Sequence, residues 1–174
     1  ENTTEPTPEN IYQVKYIPMS MASEPIALVA KNQIKAINQA NAQLTTHIQN
    51  VLGFGGINFQ AEVDNGNYPT LVDAYVAKKL QYDNFDALKS AFACEQVDAV
   101  AHIILRFDQN LPVLIGDQTG LGKGRIAAAC LRYSALRGKP PVFLTDTTQL
   151  LNDIWRDIVA VSYTHLRAHE TEAD

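Results

Sequence analysis

At 174 residues, 46% hydrophobic and 19% charged, the chain has globular composition and enough length for one core of ordinary size. A formal net charge of -5 supplies no global field toward nucleic acid or an anionic membrane, although a local basic patch can sit on an acidic domain. The two cysteines, Cys94 and Cys130, lie in apolar helical patterns without metal-ligand spacing, which argues against a disulfide framework and for two core thiols. No apolar run approaches the length of a membrane span and no signal peptide opens the chain, so the expected location is cytoplasmic, with no membrane partner.

Residues 1–18 read as an extended lead-in: residues 1–10 are polar, with Pro6 and Pro8, and Tyr12, Val14 and Tyr16 alternate with polar residues up to Pro18. Residues 19–92 read as a mostly helical region. Ile34, Ile37, Leu44, Ile48 and Val51 recur at helical spacing across 32–52, with Gly53 as a natural stop. A glycine- and asparagine-rich connection over 53–69 follows. A second helix is expected over 70–80, and a short one after Asn84, a good N-cap residue.

Residues 93–160 read differently. A strong helix over 92–107 carries Val97, Val100, Ala101, Ile104 and Leu105 on one stripe. Apolar residues 112–116 then suggest a buried strand, and a helix over 123–137 follows with Ile126, Ala129, Cys130, Tyr133 and Leu136 on one face. Residues 142–144 suggest a second strand, and Leu150, Leu151, Ile154 and Ile158 mark another helix. This alternation predicts an α/β fold, a partial RecA-like P-loop domain of βαβα order behind a helical N-terminal region.

The chemistry concentrates in the loop between the first such strand and its helix: Gly116, Asp117, Gln118, Thr119, Gly120, Leu121, Gly122, Lys123, Gly124 and Arg125. Glycines let backbone N–H groups converge on phosphate oxygens, the helix start adds partial positive charge, and a lysine reaches the outer phosphates. The loop departs from G-x-x-x-x-G-K-[ST] at both ends. Asp117 stands where the first glycine would be, and Gly124 stands where a hydroxyl normally ligates Mg²⁺. Metal would then depend on water and on acidic residues outside the loop; no protein metal site is assigned. Upstream, Gln96 near a helix start has the amide donor and acceptor needed to read an adenine edge, or is a solvated glutamine. Downstream, Thr145, Asp146, Thr147 and Thr148 form a polar run at the end of the second expected strand, fitting either a ligand edge or a turn and helix cap.

Together, Gln96, the Gly116–Arg125 run ending Gly-Lys-Gly-Arg, residues 141–145 and residues 150–157 resemble the N-terminal motor segment of strawberry-notch-type superfamily 2 helicases. The likeness spans residues 68–157, more loosely reaching back to residue 16, and is nearest to bacterial and phage members that also carry a DNA methylase region. It implies ATP bound with Mg²⁺, Lys123 as the catalytic lysine, Gln96 on adenine, and Thr145 and Thr147 on nucleic-acid phosphates, with DNA as partner. No apolar strand ending in Asp-Glu follows Lys123, so the expectation is a segment that binds nucleotide without hydrolysing it. The competing readings are another P-loop ATPase or kinase, and a non-catalytic helical interaction module over 12–107. Finally, residues 161–171 read as the translation of a transposon-end sequencing adapter, which predicts that 161–174 pack poorly and that His165 and His169 carry no function.

Overall fold

The computed structural model describes residues 13–117 and 120–169, with side chains as far as residue 162. Strand β1 (Gln13–Lys15) pairs antiparallel with β2 (Leu28–Ala30), Val14 opposite Val29. Tyr12 and the polar residues before it lie outside the described residues. Helix α1 (Ile34–Asn50) forms on the expected apolar spacing and buries Leu44 and Ile48. Inside the expected connection lie a 3-10 turn (Phe54–Gly56) and a short helix, α2 (Phe59–Asp64), which the Asn58 side chain caps by accepting from the N–H groups of Gln60 and Ala61.

Helix α3 (Leu71–Lys79) starts at Thr70, whose hydroxyl oxygen accepts from Asp73 N–H, and every residue from Val72 to Ala77 is buried. A helix covered on all sides belongs at the centre of a core. It packs on α2 and on α5 (Cys94–Asp108). Tyr75 of α3 meets Phe59 edge-on, ring centroids 5.3 Å apart. Helix α4 (Phe85–Ala91) begins at Asn84, which accepts from Ala87 N–H. Helix α6 (Lys123–Leu136) lies on α5, and α7 (Thr148–His169) lies on α6. Each large apolar side chain buried in this stack contributes about 1.5–3 kcal/mol. Cys94 is buried and Cys130 half-buried, and burial pushes both thiols up to about 11, as suits protonated packing groups.

The expected α/β architecture does not form. The described residues are about 60% helical, and the sheet among them is the β1–β2 hairpin alone, so no RecA-like βαβα unit is evident. Residues 112–116 and 142–144 carry no strand. Leu114, Val142 and Leu144 are 94, 76 and 87% exposed, where a buried parallel strand would hide them. Short apolar runs fit a strand locally, but parallel strands are stable only with paired neighbours and covered faces. Neither run gains either.

The adapter-like tail also behaves differently where it can be seen. Helix α7 runs through residue 160 without a break, and Val161 is fully buried. Its carbonyl accepts from the Tyr82 hydroxyl and from Arg132 Nη1, while Arg132 Nε donates to Leu80 O at 2.8 Å. The Arg132 guanidinium stacks over the Tyr82 ring, 4.6 Å from its centroid. Residues 170–174 lie outside the described residues. Among the described residues, no helix is long and apolar enough to cross a membrane.

Candidate functional site

Helix α6 begins directly on the loop lysine. Gly122 is its N-cap, with φ 74° and ψ 40°, and no side chain caps the helix. That leaves the first turn's N–H groups without the side-chain oxygen that ends most helices, the arrangement from which helix starts hold anions. A side chain at 122 would be doubly excluded. The left-handed conformation strains any L-residue, and a Cβ there would collide with Gln96 Nε2. Lys123 Nζ folds back and donates to Asp117 O at 2.7 Å. Gly116, Gly120 and Leu121 complete the described part of the loop; Gln118 and Thr119 lie outside the described residues.

Gln96 is brought to this loop across the molecule. It occupies the first turn of α5, where its Oε1 accepts from Ala93 N–H at 2.9 Å. Its Nε2 donates to Leu121 O at 3.1 Å and faces Gly122 O at 3.5 Å. One amide thus caps α5 and holds the loop. An amide has two N–H donors and two acceptor lone pairs, so both Nε2 donors are directed at the loop while Oε1 can accept one further partner. Arg125 turns the other way, donating from Nη1 to Ala91 O at 2.6 Å, and so fastens the start of α6 to the α4–α5 junction.

Behind Gln96 opens a cavity of about 760 Å³, with Tyr16, Leu28, Asn41 and His102 on one side and Gln96, Gly116, Asp117 and Leu121 toward the loop. That volume lies within the range of small-molecule sites. His102 Nε2 and Asn41 Oδ1 are 2.9 Å apart, and burial lowers the His102 pKa, favouring the neutral ring.

Tyr16 belongs to a strap of residues 16–22, the rest of which lies outside the cavity lining, and two buried acids hold it. Asp98 of α5 accepts from the Tyr16 hydroxyl (2.6 Å), Met19 N–H (2.8 Å) and Ser20 N–H (2.9 Å). Asp73 of α3 accepts from Ser20 Oγ and Thr70 Oγ1, and from Met21 N–H at 3.0 Å. Burial pushes the Asp98 carboxyl up to about 6, against the three hydrogen bonds that pull it down. Near the hairpin, Glu95 accepts from Ile26 and Ala27 N–H; burial pushes its carboxyl up, but these bonds carry it below its ordinary value.

Tyr16, Asn41, His102, Asp73 and Asp98 were not among the residues picked out from sequence. The same tripeptide occurs twice, as Val72-Asp73-Ala74 and Val97-Asp98-Ala99, each acid lying inside an apolar helical pattern. An acid so placed must find donors or stay protonated, which was the available signal.

Thr145 and Thr147 stand just before α7, outside the cavity lining. The Thr145 hydroxyl is buried without a hydrogen-bond partner, and Thr147 Oγ1 accepts from Leu150 N–H at 3.4 Å. Asp157 of α7 reaches the loop instead, lying against Gly124. No cluster of three or more His, Cys, Asp or Glu side chains among the described residues is placed to hold a metal by itself. A Mg²⁺ carried by nucleotide phosphates needs only one or two protein oxygens, which Asp117 and Asp157 fit by chemistry. No protein-family model, curated protein or solved structure matches the chain.

Proposed function

We propose that the chain binds ATP with Mg²⁺ at loop 116–125 and is the ATP-binding part of a cytoplasmic, ATP-driven DNA helicase or translocase. The carrying observation is the hydrogen bond from Gln96 Nε2 to Leu121 O, which joins the adenine-reading candidate to the phosphate-loop candidate. In this reading the base enters the cavity beside Gln96, and the triphosphate lies over the start of α6. The Lys123 ammonium exchanges the Asp117 carbonyl for phosphate oxygens, a stronger charge-assisted pairing. When bound, Mg²⁺ neutralises phosphate charge. Thr145 and Thr147 are the candidates for DNA phosphate contacts.

Titration of the whole chain with a fluorescent ATP analogue tests this. Lys123→Ala removes a charge-assisted contact of about 1.5–3 kcal/mol, a loss of roughly 10- to 100-fold in affinity. Equal binding by the variant overturns the assignment. The helical architecture favours a second reading, an interaction module whose loop holds no nucleotide. Absence of binding by the unaltered chain selects it.

A further inference from the structure

We propose that Asp157 supplies to the nucleotide's Mg²⁺ the oxygen that the loop lacks at position 124, and that glycine stands at 124 because the Asp157 carboxylate fills the space of the missing side chain. This rests on the nucleotide reading above.

In G-K-[ST] loops the hydroxyl after the lysine ligates the metal. Here a Cβ built on Gly124 would run into Asp157 Oδ2, with Asp157 Cγ 3.1 Å and Cβ 3.9 Å from the same point. A carboxylate oxygen therefore occupies the volume where a serine or threonine side chain would start. It comes from α7 rather than from the loop. Two further facts set this carboxylate apart. Asp157 has no hydrogen bond or ion pair among the described residues, whereas its neighbour Asp153 pairs with Arg156 at 3.3 Å. It also stands where α7 packs against α6, so its helix is held against the loop it faces. Mg²⁺ on a nucleotide takes one or two carboxylates beside phosphate oxygens and water, and one anionic oxygen replaces a neutral hydroxyl without adding a protein ligand. The alternative is a carboxylate that only complements the positive end of α6.

The two roles differ in sign. A charge that only steadies the helix start supports the site with or without metal. A metal ligand repels the bare triphosphate and attracts the metal-loaded one. Affinity of the whole chain for the fluorescent ATP analogue is therefore measured in EDTA, in MgCl₂ and in MnCl₂. Asp157→Asn, nearly isosteric, should bind more tightly than the unaltered chain in EDTA and more weakly with either metal, the metal-dependent gain falling on the order of tenfold. Gly124→Ser combined with Asp157→Ala should regain metal dependence that Asp157→Ala alone has lost, because the hydroxyl then has room. Circular dichroism melts of each variant exclude unfolding as the cause, and Asp157→Asn decides if the alanine variants do not fold. Weakening of equal size with and without metal overturns the proposal, as does an unchanged metal-dependent gain. If the unaltered chain binds no ATP under any condition, the nucleotide reading fails first. If it binds ATP and Asp157→Asn changes nothing, only the Asp157 assignment fails.

Discussion

Asp98 carries the clearest pH signature of any single residue. An unfolded aspartate titrates near 3.9, whereas burial raises the folded carboxyl to about 6. The native state therefore holds an extra proton between about pH 4 and pH 6. Stability contributed by this group falls as pH rises through that window and is level above it. Unfolding free energies measured from pH 4 to pH 7 should show that decline, and Asp98→Asn should lose it while being less stable throughout. A carboxyl titrating near 4 in a carbon-detected NMR experiment would contradict it. Residue-scale chemistry was half legible in the sequence. Gly122, Lys123 and Gln96 could be singled out because the phosphate-cradle pattern is a small set of residue types at close spacing, and the fold does bring Gln96 to that loop. The pairings of Asp73 and Asp98 with the strap could not, because the strap donors lie 52 to 82 residues away in the chain and only the fold brings them near. Arg125 belongs to the loop read as nucleotide-binding, and its guanidinium donates to Ala91 O, a partner 34 residues back that sequence does not disclose.

At the scale of elements, helices were legible and so was the extended segment that holds β1, whereas the strands expected over 112–116 and 142–144 do not form. An amphipathic helix makes its backbone hydrogen bonds within itself, so the pattern over 123–137 was enough to expect α6. A strand makes its bonds with a neighbour, and residues 112–116 and 142–144 have none. The difference can be measured at Leu114. A leucine in a buried strand would cost several kcal/mol on replacement by asparagine. At 94% exposure the same change should move the unfolding free energy by less than about 0.5 kcal/mol in urea titration. A cost above about 2 kcal/mol would show that 112–116 is buried after all. The short α2 escaped sequence reading because its six residues hold no full apolar repeat; the Asn58 cap was its local mark.

For the molecule as a whole, the informative contact is at Val161, since sequence reading ended the packed region at residue 160. Deleting from 161 removes a fully buried valine and the carbonyl that serves both Tyr82 and Arg132. The summed cost is about 2–4 kcal/mol, equivalent to a melting temperature lower by roughly 5–15 °C for a chain of this size. A version ending at 162 should recover most of that loss. Equal melting by circular dichroism for the two truncations would show that Val161 does not close the core. The tail expectation came from a resemblance at the nucleotide level, which carries no information about what a side chain touches.

The strap of residues 16–22 has a consequence of its own. Ser20 sits between Met19 and Met21, and its N–H serves one buried acid while its hydroxyl serves the other. Sliding the strap by one residue would put a thioether between two carboxylates and leave both short of donors. The strap therefore has a single seating and no half-shifted neighbour to relax into. Tyr16, the strap residue that does line the cavity, is tied to Asp98, so the strap's single seating fixes that one point of the lining.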